Sequence, residues 1–130
     1  MYSVKNSYVR TKTIKMIAEI KKKWLNKLTT ETQCTNNLRI GDRYCVLGCL
    51  CLLHAEETNT EFELQEERGH YRYLGNVATI PEEVLKWSKV KLDKRGEISV
   101  AYKGEYIKLH ELNDKGLTFK QLSKIIQEQL

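Results

Sequence analysis

Residues 43–54 read Arg-Tyr-Cys-Val-Leu-Gly-Cys-Leu-Cys-Leu-Leu-His and contain three of the four cysteines of the chain. On a helix of 3.6 residues per turn, the apolar side chains of this segment would point in every direction. A helix that is apolar on all sides is buried on all sides. We therefore predict a central helix over residues 44–54, around which the rest of the chain packs, with Asp42 as its N-cap.

Three further helices are predicted from local patterns. Residues 11–28 carry isoleucines, Trp24 and Leu28 at three- and four-residue steps, which is typical of an amphipathic helix. Residues 80–87 carry proline and two glutamates at positions 81–83, in the first turn of the predicted helix, where they suit the positive end of a helix dipole. Thr118 followed by Gln121 predicts a capping box at the start of a C-terminal helix.

Alternating apolar and polar residues predict two hairpins, one within residues 61–74 and one within residues 98–109. Together these elements predict an α+β fold in a single domain over residues 1–130. It has about four helices, one of them central and buried, packed on a small antiparallel sheet of hairpins. Residues 1–9 are assigned to a loose arm or an edge strand.

The composition describes a soluble globular chain, with 41% hydrophobic and 30% charged residues. The longest apolar run, residues 45–53, is far shorter than the roughly 20 residues that cross a bilayer. The first 15 residues lack the apolar stretch of a signal peptide. We therefore expect a cytoplasmic protein with no membrane partner. In that compartment the cysteines are expected to be free thiols.

The formal charge of +5 is unevenly distributed along the chain. Residues 1–30 contain eight lysines and arginines against Glu19, a net of +7, so the other 100 residues sum to −2. Such a basic segment suits phosphate or an acidic protein surface, although a solvated lysine-rich helix face is the alternative. If the partner is a nucleic acid, the cations would hold phosphates while the tyrosines stack on bases. The predicted contact residues are Tyr2, Tyr8, Arg10, Lys12, Lys15, Lys22 and Lys23.

Cys45, Cys49, Cys51 and His54 are of the residue types that bind zinc. At 100° per residue, Cys49 lies about 40° from Cys45, whereas Cys51 and His54 lie at about 240° and 180°. One helix cannot aim all four side chains at a single ion, so no metal site and no cofactor are predicted.

A cysteine nucleophile would need an activating base, and no spacing links a histidine to a particular cysteine. Burial would also make the thiols less reactive. Residues 113–116, Asn-Asp-Lys-Gly, are interpreted as a turn whose side chains bond the local backbone. No catalytic residue is assigned, and whether the protein is an enzyme stays open.

Residues 44–51, Tyr-Cys-Val-Leu-Gly-Cys-Leu-Cys, resemble the aromatic-Cys-Cys-Leu-Gly-Val-Leu-Cys phrase of small proteins encoded by bacteriophages, prophages and bacterial plasmids. Residues 109–114, Leu-His-Glu-Leu-Asn-Asp, with Phe119 and Ile125, resemble the Leu-x-x-Leu-Asn-Asp…Phe-x-x-Ile-Ala ending of that family. Residues 80–87 are similar to its Leu-Pro…Val…Trp segment. The resemblance implies a phage-type accessory protein and supplies no catalytic residues.

These observations lead to three functional hypotheses. The first is a non-enzymatic phage or mobile-element protein that binds a host protein or ribonucleoprotein and inhibits an antiviral defence such as CRISPR–Cas. The second is a small nucleic-acid-binding regulator that uses the basic N-terminal helix. The third is an enzyme or binding protein for a nucleotide-like ligand, which requires a cavity near His70, Tyr71 and His110.

Overall fold

The computed structural model describes residues 16–65 and 69–130, and the apolar segment forms its central helix. This helix spans Val46–Thr58, and nine of its first ten residues are buried. Its N-cap is Cys45, whose sulfur accepts a hydrogen bond from the Gly48 N–H at 3.3 Å. The prediction of Asp42 as the cap is therefore wrong. Strand pairing at residues 43–44 keeps the backbone extended up to Cys45, which places Asp42 too early.

Five helices lie in the described ranges, four of them matching a predicted helix. The first starts later than predicted, because Ile17 is extended and its N–H donates to the Ser88 carbonyl at 3.0 Å. Residues 11–15 of the predicted helix lie outside the described residues. The capping box of Thr118 and Gln121 is confirmed. The helices are α1 Ala18–Thr30, α2 Val46–Thr58, α3 Glu82–Ser88, α4 Leu109–Asp114 and α5 Phe119–Gln129.

Seven short strands in the same ranges form three separate sheets. Both predicted hairpins are present as antiparallel pairs, β4 with β5 and β6 with β7. The third sheet has the order β1-β3-β2, with β1 and β3 parallel. These pairs confirm the α+β class, with the sheet divided into three small parts. The strands are β1 Thr32–Gln33, β2 Arg39–Ile40, β3 Arg43–Tyr44, β4 Glu63–Leu64, β5 Tyr71–Arg72, β6 Ser99–Tyr102 and β7 Glu105–Lys108.

The core is built around α2. Buried side chains of α1, α4 and α5 contribute to it, together with those of the residues just before α2 in the chain. Trp24 of α1 is fully buried, and its indole N–H donates to the Val46 carbonyl at 2.9 Å. Because this bond joins the buried indole N–H to the first residue of α2, it fixes the position of α1 along the central helix. None of the helices in the described residues is long and apolar enough to cross a membrane.

Candidate functional site

The thiols of the central segment are packing groups. Cys49 and Cys51 are fully buried and Cys45 is 5% exposed. Burial raises the pKa of Cys45 to about 12 and raises the pKa of Cys49 and Cys51 as well. Because the thiolate is the form that attacks electrophiles and binds metals, these sulfurs are held in their unreactive form. Within residues 16–65 and 69–130, no group of three His, Cys, Asp or Glu side chains is placed to hold a metal ion.

A buried imidazole joins α2 to the segment that follows β5 and to α3. His54 Nε2 lies 3.3 Å from a Glu83 carboxylate oxygen, and His54 Nδ1 lies 2.6 Å from the Tyr73 hydroxyl. Since an ionised carboxylate only accepts, Nε2 carries the proton and Nδ1 accepts from Tyr73. The arrangement has the carboxylate–imidazole–hydroxyl order of a catalytic triad. However, Tyr73 is fully buried, so a substrate cannot reach its oxygen and the network is structural.

Acidification is expected to destabilise the protein through His54. Burial lowers the pKa of His54, although the Glu83 carboxylate raises it in part. The unfolded chain therefore binds a proton at His54 at a higher pH than the folded chain does. The free energy of unfolding should accordingly fall as the pH drops below about 6.5, the ordinary histidine value. An NMR titration of the folded protein should show that the His54 ring stays neutral as the pH is lowered to 6.5. Protonation of the ring at or above pH 6.5 would contradict this prediction.

Asn113 has a role that the sequence interpretation missed. Its side-chain oxygen accepts from the Gln33 amide at 2.9 Å and from the Val46 N–H at 3.1 Å, and its amide donates to the Cys34 carbonyl at 3.0 Å. The predicted turn is present, since the Gly116 N–H donates to the Asn113 carbonyl at 3.2 Å, but the predicted bonding of the Asn113 side chain to the local backbone is wrong. Asn113 is fully buried in α4 and connects segments far apart in the chain. The available signal was its place directly after the apolar Leu-x-x-Leu spacing, on the buried side of a short helix.

Only two of the seven predicted contact residues lie within the described part of the chain. The other five lie outside the described residues: Tyr2, Tyr8, Arg10, Lys12 and Lys15. Of the two that are described, Lys23 forms an ion pair with Glu57 at 2.7 Å. Lys22 is exposed and has no ion pair or hydrogen bond within the part of the chain that the structure describes.

The other two lysines of α1 are engaged in internal contacts. Lys27 pairs with Glu56 of α2 at 2.7 Å, and the Lys21 ammonium donates to the Gln127 carbonyl of α5 at 3.0 Å. Much of the lysine-rich face of α1 therefore holds the helix against its neighbours. Lys22 is the described lysine of this helix best placed to meet an external partner.

The cavity required by the nucleotide hypothesis is not assembled. Tyr71 lies under the Arg39 guanidinium, 3.7 Å from the ring centroid, and His70 forms a β-bridge with Ile40. His110 instead lines a separate cavity of about 180 Å³, bordered by Leu47 and other apolar side chains. None of the cavities found among the described residues has all three predicted residues in its lining.

A groove of about 790 Å³ lies between the turn at residues 92–96, the β6–β7 hairpin and α4. Tyr106 lines the groove and is 62% exposed, so its ring and hydroxyl are open to solvent there. Three acidic residues, Asp93, Glu105 and Glu111, also line it. The basic residues that line the groove are Lys94, Arg95, Lys108 and Lys115.

The turn beside this basic groove is ordered by Asp93. Its carboxylate accepts hydrogen bonds from the Ser99 hydroxyl at 2.6 Å and from the backbone N–H groups of Arg95 and Glu97 at 2.8 and 3.1 Å. These bonds, led by the one from Ser99, lower the pKa of Asp93. The turn is therefore held by an ionised carboxylate that faces inward, which fixes the backbone from which Lys94 and Arg95 project.

A family model described as a domain of unknown function, DUF8296, matches residues 16–130. The chain belongs to the DUF8296 family. The match contains every described helix and strand and the whole basic groove. A comparison of this DUF8296 chain with curated proteins finds no match, and a comparison with solved structures finds none either.

Charge in this DUF8296 chain separates into regions of opposite sign beyond its basic start. Residues 31–85 contain four lysines and arginines against ten acidic residues, a net of −6. Residues 86–130 contain ten against six, a net of +4. The groove thus lies in a basic part of the chain, which the net charge of −2 for residues 31–130 as a whole does not reveal. A charge count over shorter segments of the sequence would have shown this basic region.

Proposed function

We propose that the protein is a non-enzymatic accessory protein of phage or mobile-element origin that binds a host macromolecule. Its target on this proposal is a bacterial antiviral defence, such as CRISPR–Cas. The observation that supports binding is the basic groove, where three of the four cations have no partner among the described residues. In the described residues, the side chains of Lys94, Arg95 and Lys115 form no ion pair and no hydrogen bond. The phage-type origin rests on the sequence resemblance.

The electrostatics of the groove favour association with an anionic surface. Unpaired cations on a fixed turn attract negative charge in the surrounding solvent. This attraction speeds association with a negatively charged partner and makes the association rate sensitive to salt. The reactive groups of the interior, by contrast, are engaged in packing and hydrogen bonds. Lys22 of α1, together with the basic residues that precede the described part, is proposed as a second contact region.

A phage-plating experiment tests this proposal. Bacteria that carry one defence system at a time, CRISPR–Cas among them, are infected with a phage that the system restricts. Expression of the protein should restore plaque formation on at least one such strain, because a bound defence component cannot act. If no defence system is relieved, the anti-defence proposal is wrong.

Charge-reversal variants locate the contact surface in the same experiment. The double variant Arg95→Glu/Lys115→Glu should abolish the restored plating, because it reverses two unpaired charges of the groove. The matched control Lys120→Glu/Lys124→Glu reverses two exposed lysines of α5 that do not line the groove, and it should leave plating restored. Thermal unfolding checks that both variants fold. Equal loss or equal retention in the two variants would contradict the groove as the contact surface.

A further inference from the structure

We infer that the basic groove binds single-stranded nucleic acid. The inference rests on the proposed function, and it states the chemical class of the macromolecule that the protein binds. Two features of the groove carry it together: cations that have no internal partner and an aromatic ring left open to solvent. Backbone phosphates pair with cations, and unpaired bases stack on aromatic side chains.

The β6–β7 hairpin leaves the Tyr106 ring uncovered. In the register of the two strands Tyr106 lies opposite Ala101, a side chain too small to cover the ring. No aromatic or cation–π contact of Tyr106 occurs within the described residues. A single exposed tyrosine is ordinary in a protein surface. Here, however, the ring lies beside several cations, which is the combination that a single strand requires.

Strand geometry places a cation near the ring. Tyr106 and Lys108 are two residues apart in β7, so their side chains emerge on the same face about 7 Å apart. Lys108 forms an ion pair with Glu97 at 2.6 Å, which holds the lysine at the groove and offsets its charge. Its ammonium group has three N–H donors and can still donate one to a phosphate oxygen within about one nucleotide of a base stacked on Tyr106.

The acidic residues of the groove do not cancel its cations. The cations Lys94, Arg95, Lys108 and Lys115 outnumber the carboxylates Asp93, Glu105 and Glu111 by one, and hydrogen bonds within the turn engage the Asp93 carboxylate. A duplex stacks its base faces internally and leaves none for the Tyr106 ring, whereas a single strand uses the cations and the ring together. An acidic protein would use the cations and leave Tyr106 without a specific role.

Fluorescence anisotropy with the full chain tests the inference. The probes are a labelled single-stranded oligonucleotide, the corresponding duplex and polyglutamate. We expect the single strand to bind most tightly, with log affinity falling linearly with log salt concentration. Preference for the duplex, preference for polyglutamate, or no binding of the single strand would each overturn the inference.

Three substitutions separate the stacking and phosphate contacts. Tyr106→Ala should weaken binding about tenfold with an unchanged salt slope, because it removes a stacked base and no charge. Arg95→Gln should weaken binding and reduce the magnitude of the slope by about 0.7, because it removes one phosphate contact. Glu111→Gln should tighten binding, because it removes a negative charge from the groove.

Two lysine variants serve as comparisons. Lys120→Gln removes an exposed charge outside the groove and should leave affinity and salt slope nearly unchanged. If Lys22→Gln weakens binding while Arg95→Gln and Tyr106→Ala do not, nucleic acid binds α1 and the groove assignment is overturned. Failure of nucleic-acid binding with phage plating still restored would reject this inference alone. Nucleic-acid binding without restored plating would reject the proposed defence target alone.

Discussion

Replacing Gly48 by alanine is expected to lower the free energy of unfolding by about 3 kcal/mol or more, the upper range for overpacking a core. A Cβ at this position would lie 1.8 Å from the carbonyl oxygen of Leu38 and 2.8 Å from its carbonyl carbon. Both are backbone atoms, and Leu38 is fixed by hydrogen bonds from Cys45 N–H to its carbonyl and from its own N–H to Val77. Neither helix nor loop can move without breaking these bonds.

The control for this prediction is the same substitution where space is free. A Cβ at Gly104 meets no atom within 4 Å, although φ there is +83°. Gly104→Ala should therefore cost only the left-handed backbone strain of about 1 kcal/mol. Urea unfolding of the two variants measures the difference. Equal stability would show that α2 can shift away from Leu38, and the close packing described here would then not limit position 48.

The contact with Leu38 gives a physical reason for the glycine in the Leu-Gly phrase of residues 44–51. In most helices alanine is favoured over glycine by about 1 kcal/mol. Gly48 departs from that preference because only a residue without a side chain lets the chain at Leu38 lie against α2. The requirement comes from a segment ten residues earlier. A helix pattern alone therefore could not reveal it.

Elements that depend on neighbours in sequence were predictable. The buried helix, the two hairpins and the capping box of Thr118 follow from apolar spacing, alternation and side-chain hydrogen bonds over three residues. The cap of α2 was not predictable in this way. Asp42 has the better capping chemistry, but pairing of β3 with two other strands keeps residues 43–44 extended and shifts the start of the helix to Val46.

The candidate site was less accessible to sequence reasoning than the fold. Lys22 and Lys23 were predicted to belong to one contact surface, yet Lys23 is paired with Glu57 of α2. Lys27, one turn further along α1, is paired with Glu56. These pairings join helices whose relative placement no local pattern specifies. The basic groove likewise depends on the turn at residues 92–96 meeting α4, which the sequence interpretation treated as the end of a hairpin followed by a turn.

Replacing Asn113 by aspartate is expected to destabilise the protein at pH 7 by about 3 kcal/mol, the scale for breaking a buried polar network. The Asn113 oxygen that accepts from Gln33 and Val46 has an equivalent in the carboxylate. The amide nitrogen does not, since it donates to the Cys34 carbonyl and to the Asp114 carboxylate at 3.2 Å. An ionised carboxylate would turn an acceptor toward both oxygens. Because the site is fully buried, water cannot relieve this repulsion.

The pH dependence separates this mechanism from simple loss of packing. Burial and the nearby Asp114 should raise the pKa of the introduced carboxyl in the folded state above its unfolded value. The loss of stability should therefore be largest above that folded pKa and shrink as the pH falls through it, because a protonated carboxyl can again donate to the Cys34 carbonyl. Asn26→Asp, at an exposed position of α1, is the matched control and should change stability little at either pH. Urea unfolding at pH 7 and pH 5 measures both variants relative to the unsubstituted protein. A deficit for Asn113→Asp that is independent of pH would contradict this mechanism, because aspartate has nearly the same volume and shape as asparagine and only its charge depends on pH.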